Sequence, residues 1–281
     1  MEAGRPSLTA RGAAIHRAAH QVLEGGRIFA DPLAVRILGA EAETEVGRAA
    51  REGPRRALRL FIAVRTRLAE DAFAAAFDGG VRQLVVLGAG LDTYAYRTRL
   101  GDGLRVFEVD HPATQAWKRR LLAEAAIAVP PSLTFVAVDF ERTALADALR
   151  AAGFDAARPS FFFWLGVVPY LTEAAVFSTL GFIGGLAGGA HVVFDYANPP
   201  DEIADRADFA AAHDELAERV AAAGEAFRSY FRTDALHARL AELGFRRVED
   251  LGPAGIWERF FSHRPGPARD AGGHILHAAT F

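Results

Sequence analysis

Leu84-Val-Val-Leu-Gly-Ala-Gly-Leu-Asp92 decides how the rest of the chain is read. Four consecutive apolar residues are what a strand covered on both faces needs. They run straight into Gly88-Ala89-Gly90, where glycine permits a tight turn and lets backbone approach a ligand, with the amides of the next helix facing outward. Outward from this strand, short apolar runs alternate with helix-length segments: Gln83–Leu87, Leu104–Val109, Leu133–Val138, Ser160–Leu165 and His191–Asp195. That alternation predicts an α/β fold, a mostly parallel sheet with helices on both faces. Two later extended runs, Arg246–Leu251 and Gly273–Thr280, joined by a Pro/Gly-rich loop at Pro265–Gly273, predict an antiparallel C-terminal finish.

Before the sheet, Ser7 to Phe77 is helical in pattern and interrupted at Gly25-Gly26, Asp31-Pro32 and Gly53-Pro54. It reads as a helical N-terminal lid over residues 1–80, ahead of a core over 81–281. The boundary is a shift of composition alone, so lid and sheet can equally form one domain. Thr172 is placed to cap the helix that begins Glu173-Ala-Ala-Val, and Thr233 to cap Asp234–Leu243, which stops at Gly244.

The 281 residues are 51% hydrophobic and 24% charged, which suits a folded chain with a sizeable core and excludes a disordered one. A net charge of −3 offers no general attraction to nucleic acid. Zero cysteines remove disulfides, thiolate nucleophiles and Cys-ligated zinc, and fit a reducing cytoplasm. Met1–Leu8 lacks the apolar stretch of a signal peptide, and Phe161–Leu171 and Leu180–Phe194 are too short or too glycine-rich to span a bilayer. A soluble cytoplasmic protein without a membrane partner is expected, and nothing here sets its oligomeric state.

A dinucleotide fingerprint would place a third glycine at position 93, which is Thr93. A GxG turn alone is as often structural as ligand-binding. Two acidic residues add weight. Asp110 ends the second strand twenty residues beyond Gly90, where a carboxylate can take ribose hydroxyls, with Glu108 as the alternative on the same strand. Asp139 ends the third strand, placed for an adenine amino group with Phe140 beside the ring. Singly, each is most often a surface aspartate; together beside a glycine turn they favour an adenosine ligand.

Reading Arg55–Phe77 as a helix, its apolar stripe is Leu58, Phe61, Ile62, Leu68, Ala69, Ala72 and Phe73. Arg65 lies within the stripe, with Arg59 and Arg67 outside it. An inward guanidinium needs a partner. That partner is either an internal Asp or Glu, or the carboxylate of a bound amino-acid-bearing ligand. S-adenosylmethionine carries such a carboxylate and a nicotinamide dinucleotide does not.

These residues resemble the leucine carboxyl methyltransferase-like family of S-adenosylmethionine-dependent enzymes. The resemblance rests on Ala63-Val-Arg-Thr-Arg67, Gln83–Arg97, Val106–Arg120, Val138-Asp-Phe140, Phe163–Leu171, Phe194-Asp-Tyr196 and Arg27-Ile-Phe-Ala-Asp-Pro-Leu33, and covers roughly residues 8–251. It implies a Rossmann-like class I methyltransferase in which Arg65 holds the methionine carboxylate. It further implies that Gly88, Ala89 and Gly90 line the cofactor, Asp110 binds ribose and Asp139-Phe140 contact adenine. One position departs: the family carries Glu before the residue matching Gly166, near the methionine amine, and this chain has Leu165.

The expected reaction is methylation of a carboxylate or hydroxyl oxygen on a small molecule of secondary metabolism. Open alternatives are C- or N-methylation of an aromatic metabolite, carboxyl methylation of a protein C-terminus, a nicotinamide-dependent oxidoreductase, and a non-catalytic adenosyl-binding regulator. Tyr170, Asp195, Tyr196 and His111 fall at strand ends, on the ligand edge of such a sheet. Tyr170 and Asp195 are the candidates for assisting the acceptor; Tyr170, Tyr196, Arg228 and Tyr230 for binding it. His16 and His20, four residues apart, lack a third metal ligand and read as solvated or capping, and His274 with His277 are no stronger. No metal is expected. The arginines at 48, 51, 55, 56 and 59 share their stretch with Glu41, Glu43, Glu45 and Glu52 and, in an acidic chain, read as charged surface rather than an RNA face.

Overall fold

The computed structural model describes residues 7–51, 56–101, 103–140, 144–203, 207–222, 224–262 and 270–281. Seven strands form one sheet: β1 (Gln83–Leu87), β2 (Arg105–Asp110), β3 (Leu133–Ala137), β4 (Ser160–Trp164), β5 (Ala190–Ala197), β6 (Arg247–Leu251) and β7 (Gly273–Ala279). Their order is β3-β2-β1-β4-β5-β7-β6. The first five strands pair in parallel, and β7 runs antiparallel to both β5 and β6. The predicted parallel sheet with an antiparallel finish is what the chain forms. Strand order reverses between β1 and β4, and a crevice opens beyond the carboxyl ends of strands at such a point.

Both faces of the sheet are covered, which is why its strands read as unbroken apolar runs. Val85, Leu87, Phe107, Val109, Phe162, Trp164 and Phe194 point to one face. They pack there against α6 (Leu145–Ala151), α7 (Glu173–Gly184) and α10 (Thr233–Glu242). Leu84, Val86, Val106, Phe161, Phe163 and Val193 point to the other, against α3 (Arg56–Asp78), α4 (Tyr94–Arg97) and α11 (Pro253–Phe261). A third cluster joins α1 (Leu8–Leu23) and α2 (Ala42–Arg51) to Leu122 of α5 (Pro112–Glu124) and to Leu91 after the glycine turn. The N-terminal helices therefore share hydrophobic cores with the sheet.

A buried polar network makes the same join. Asp31 accepts the Thr93 hydroxyl at 2.6 Å and lies 3.7 Å from Arg17 and 3.6 Å from Arg97. Arg17 also donates to the Leu91 carbonyl at 2.5 Å. The residue standing where a dinucleotide fold would have its third glycine thus spends its hydroxyl on tying the N-terminal segment to the turn.

Several expectations need correction. Thr172 caps α7 by accepting from the Ala175 amide at 3.3 Å, but Thr233 does not cap α10. Arg232 holds the cap position, and the Thr233 hydroxyl pairs with that of Tyr196 at 2.9 Å. α11 stands between β6 and the predicted Pro/Gly loop, most of which lies outside the described residues. Its Pro253 start and the apolar turns that follow were a legible helix signal. Arg59 is buried rather than outside the stripe, because Glu24, reached through the fold, holds it at 2.7 and 2.9 Å. Arg67 does lie outside, paired with Asp71 at 2.7 Å. His16 and His20 are buried, neither solvated nor capping, and His20 meets Glu24 at 3.3 Å.

Candidate functional site

A cavity of about 1130 Å³ opens at the carboxyl ends of β1, β2, β3 and β4. Gly88, Ala89 and Gly90 form one wall, with Asp110, His111, Asp139, Phe140, Leu165 and Gly166 around them. α1, α2 and α3 close it from the N-terminal side. α9 (Ala207–Ala222) and the loop from Gly224 to Arg228 close the far side.

The turn adopts the backbone that its glycines allow. Gly88 has φ +64° and Gly90 φ +45°, the left-handed region that side chains resist. A Cβ on Gly88 would lie 2.4 Å from Val167 Cγ2, and one on Gly90 would lie 2.9 Å from Ala10 Cβ. The first close approach joins the β1 turn to the loop after β4, and the second brings the turn against α1.

Asp110 locks the turn from the neighbouring strand. Its Oδ2 accepts from the Gly90 amide at 2.5 Å and its Oδ1 from the His111 amide at 2.6 Å. Burial pushes the Asp110 carboxyl above the usual range, while these two amide bonds act in the opposite sense. His111 turns its ring to cap α5, its Nδ1 accepting from the Ala113 amide at 3.2 Å. Glu108, the alternative to Asp110, is fully buried, 2.7 Å from Lys118 Nζ, and receives the Tyr96 hydroxyl at 3.1 Å. Two residues back on β2 means the same side of the strand, but α5 covers that position with Lys118. It does not line the cavity.

Arg65 reaches the cavity from the middle of α3 and is buried. Its Nη1 donates to Asp195 Oδ2 at 2.8 Å. The internal carboxylate named as one of its two alternatives is therefore real. The other Asp195 oxygen accepts from the Gly166 amide at 2.5 Å, so one carboxylate binds α3, the end of β5 and the loop after β4 together. Asp195 does not line the cavity, and with both oxygens engaged it is poorly placed to take a proton from an acceptor.

Tyr170 does line the cavity, 5.3 Å in ring separation from Phe227. Burial raises its phenol well above the ordinary range, so it stays protonated at neutral pH. Arg228 also lines the cavity, its loop stapled by the Arg228 amide to the Pro169 carbonyl at 2.7 Å. Tyr196 and Tyr230 do not line it. Tyr196 is buried behind the sheet end, its hydroxyl donating to Asp250 at 2.7 Å, and Tyr230 packs on Phe227 and His213. Among the described residues no group of three or more His, Cys, Asp or Glu is arranged to hold a metal ion.

Of the far wall, sequence reading named Arg228 and missed the contact that fastens it. Glu225 accepts from Ser7 Oγ at 3.2 Å and from the Thr9 amide at 2.9 Å, fastening the start of α1 to the loop after α9 across the cavity mouth. Nothing local in the sequence marks a contact between residues 216 positions apart. Ser7, which caps α1 by accepting from Ala10, was the one readable sign.

The sequence model of the leucine carboxyl methyltransferase family matches residues 10–184. A Bacillus subtilis (strain 168) protein named "Putative S-adenosyl-L-methionine-dependent methyltransferase YktD" is 38% identical over 189 residues, 66% of this chain and 60% of that protein. A Mycobacterium leprae (strain TN) protein with the same description, ML2020, is 41% identical over 121 residues, 42% of this chain and 40% of that one. The chain thus matches three fifths or less of these relatives' lengths. Among solved structures, a Thermobifida fusca YX protein described as "a putative methyltransferase" superposes with TM-score 0.57 at 16% identity, covering 99% of this chain and 96% of its own. A DUF574 family protein from Streptomyces avermitilis superposes with TM-score 0.53 at 19% identity over 94% and 95%. At these identities the likeness is one of fold.

Proposed function

The chain belongs to the leucine carboxyl methyltransferase family, and from that premise we propose that it transfers a methyl group from S-adenosylmethionine to an oxygen, carboxylate or hydroxyl, of a small-molecule acceptor. The observation that carries this reading is a pair of anchors lining one cavity: the Asp110 carboxylate, bonded to the glycine turn, and the Arg65 guanidinium. One suits a ribose diol and the other an amino-acid carboxylate, and only an adenosyl amino acid needs both.

The residues present fit such a ligand. The turn lines the cavity with Gly88, Ala89 and Gly90, where backbone is open to a ligand, and Arg65 Nε is buried without a hydrogen-bond partner. In this reading Asp110 takes the ribose hydroxyls, Asp139 and Phe140 flank adenine, His111 and Leu165 line the cofactor, and Arg65 takes its carboxylate. The sulfonium, when bound, supplies a methyl group to a nucleophile approaching in line with the breaking bond.

The chain's own work is orientation and exclusion of water. A carboxylate acceptor arrives ionised and needs no base. Tyr170, protonated, serves as a hydrogen-bond donor to an acceptor oxygen rather than as a base. Arg228, on the wall away from the glycine turn, offers positive charge to an anionic acceptor. α1 and the Glu225 loop shield the reacting atoms.

Calorimetric titration with S-adenosylmethionine, S-adenosylhomocysteine and NAD tests the reading. Micromolar binding of the first two without the third is expected. Binding of NAD alone refutes it and returns Arg65 to a purely internal role. The product then separates O-methylation from C-methylation, since a methyl ester is released by mild base and a C-methyl group is not.

A further inference from the structure

Resting on that cofactor reading, we propose that Asp195 makes the Arg65 site selective for the zwitterionic end of an amino acid over a simple anion. The geometry is specific. Arg65 and Asp195 meet at 2.8 Å with side chains 10% and 8% exposed, so solvent screens their charges little. Only Arg65 faces the cavity. Gly166 packs against the Nη end of the guanidinium: a Cβ there would come within 2.6 Å of Nη2 and 2.8 Å of Nη1. With Nη1 held by Asp195 and Gly166 crowded against the Nη end, the arginine has little freedom to turn.

The charge balance follows from the same contacts. A lone buried guanidinium attracts any carboxylate or phosphate. Paired with Asp195, it forms a site with no net charge. A carboxylate that reaches Arg65 also comes within a few ångströms of the Asp195 charge and is repelled. An ammonium on the adjoining carbon cancels that repulsion and is itself attracted. Leu165, beside Gly166, contributes no charge of either sign. Two further charges, Glu225 and Arg219, which act on Tyr170 together with this pair, are of opposite sign to each other. Across several ångströms of partly buried site, the Asp195 charge is worth roughly a tenfold preference for the zwitterion. Asp195 acts through Arg65 and through its field, so it is a positioning and specificity residue.

Three probes separate this from a structural role: S-adenosylhomocysteine, its deaminated analogue that keeps the carboxylate, and adenosine. By calorimetry the wild type is expected to bind S-adenosylhomocysteine roughly tenfold or more tightly than the deaminated analogue. Asp195→Asn keeps an acceptor for the Gly166 amide and removes the charge. It is expected to bring those two ligands within about threefold of each other while adenosine binding stays as it was. Persistence of the wild-type preference in Asp195→Asn overturns the proposal, and so does a parallel weakening of all three ligands. If that variant fails to fold, Arg65→Gln/Asp195→Asn removes both charges at once and is expected to bind the two carboxylate ligands equally; a retained preference overturns the proposal. Wild-type protein that binds no S-adenosylhomocysteine refutes the cofactor reading itself. Wild-type protein that binds it without discriminating refutes the role of Asp195 alone.

Discussion

Replacing Asp110 by alanine removes one carboxylate that the structure uses in two ways. Its oxygens hold the Gly90 amide at 2.5 Å and the His111 amide at 2.6 Å, and its cavity edge is the proposed seat of the ribose. Hydrogen bonds to a charged group contribute about 1.5–3 kcal/mol, so losing the ribose contact should weaken S-adenosylhomocysteine binding roughly tenfold to a hundredfold. The two amides border the cavity, where water can replace the carboxylate, so the cost to the fold should stay near 1–3 kcal/mol. Calorimetry gives the first quantity and urea unfolding the second. Adenosine and 2′-deoxyadenosine make the assignment chemical. The wild type should prefer adenosine, and Asp110→Ala should lose that preference. A wild type indifferent to the 2′-hydroxyl, or a folded variant that binds S-adenosylhomocysteine as tightly as before, would refute the ribose role and leave Asp110 as a lock on the turn.

Glu225→Gln should loosen the fastening of α1 through Ser7 and Thr9 by about 1 kcal/mol and speed ligand dissociation several-fold in stopped-flow displacement; an unchanged rate means the α1 terminus is not the gate. Tyr196→Phe loses the bonds to Asp250 at 2.7 Å and Thr233 at 2.9 Å. It should destabilise the fold by about 1–2 kcal/mol in urea with ligand affinity unchanged, and a fall in affinity contradicts its place off the cavity. His191 is pushed by burial from 6.5 down to about 4. Between those values the unfolded chain binds a proton that the folded chain refuses, so stability is full above pH 6.5 and is lost as pH falls towards 4. Discounted for its partial exposure, this amounts to about 1–2 kcal/mol. His191→Phe, which keeps a ring against Phe161, should flatten the acid limb of the stability profile by that amount, and equal slopes for variant and wild type refute the assignment.

Much of the site was legible because it lies at strand ends, where sequence order and spatial order agree. Gly88, Gly90, Asp110, Asp139 and Phe140 each end or follow a strand, and parallel neighbours carry their ends to one edge. Arg65 was legible as a charge within an apolar stripe, since helical periodicity alone fixes its face. Its partner was not. Asp195 lies 130 residues further on, and nothing local distinguishes a strand-end aspartate that faces ligand from one that faces a guanidinium. Tyr196, Tyr230 and Glu108 lie off the cavity because other side chains engage them: Tyr196 meets Asp250 from β6, Tyr230 packs on His213 and Phe227, and Glu108 meets Lys118.

What the sequence by itself determined is the order of the elements and the edge on which a ligand sits. Apolar runs long enough only for strands, separated by helix-length segments and broken by a glycine turn, leave few ways to build a sheet covered on both faces. Tertiary structure alone decided which charges meet. It set Arg65 against Asp195 and Glu108 against Lys118, buried both histidines of α1, and closed the cavity with Glu225. The physical reason is range. Periodicity and turn chemistry act over a few residues and are written in the local sequence. Pairing of buried charges is enforced by desolvation, which is felt only once distant elements have packed and water has left.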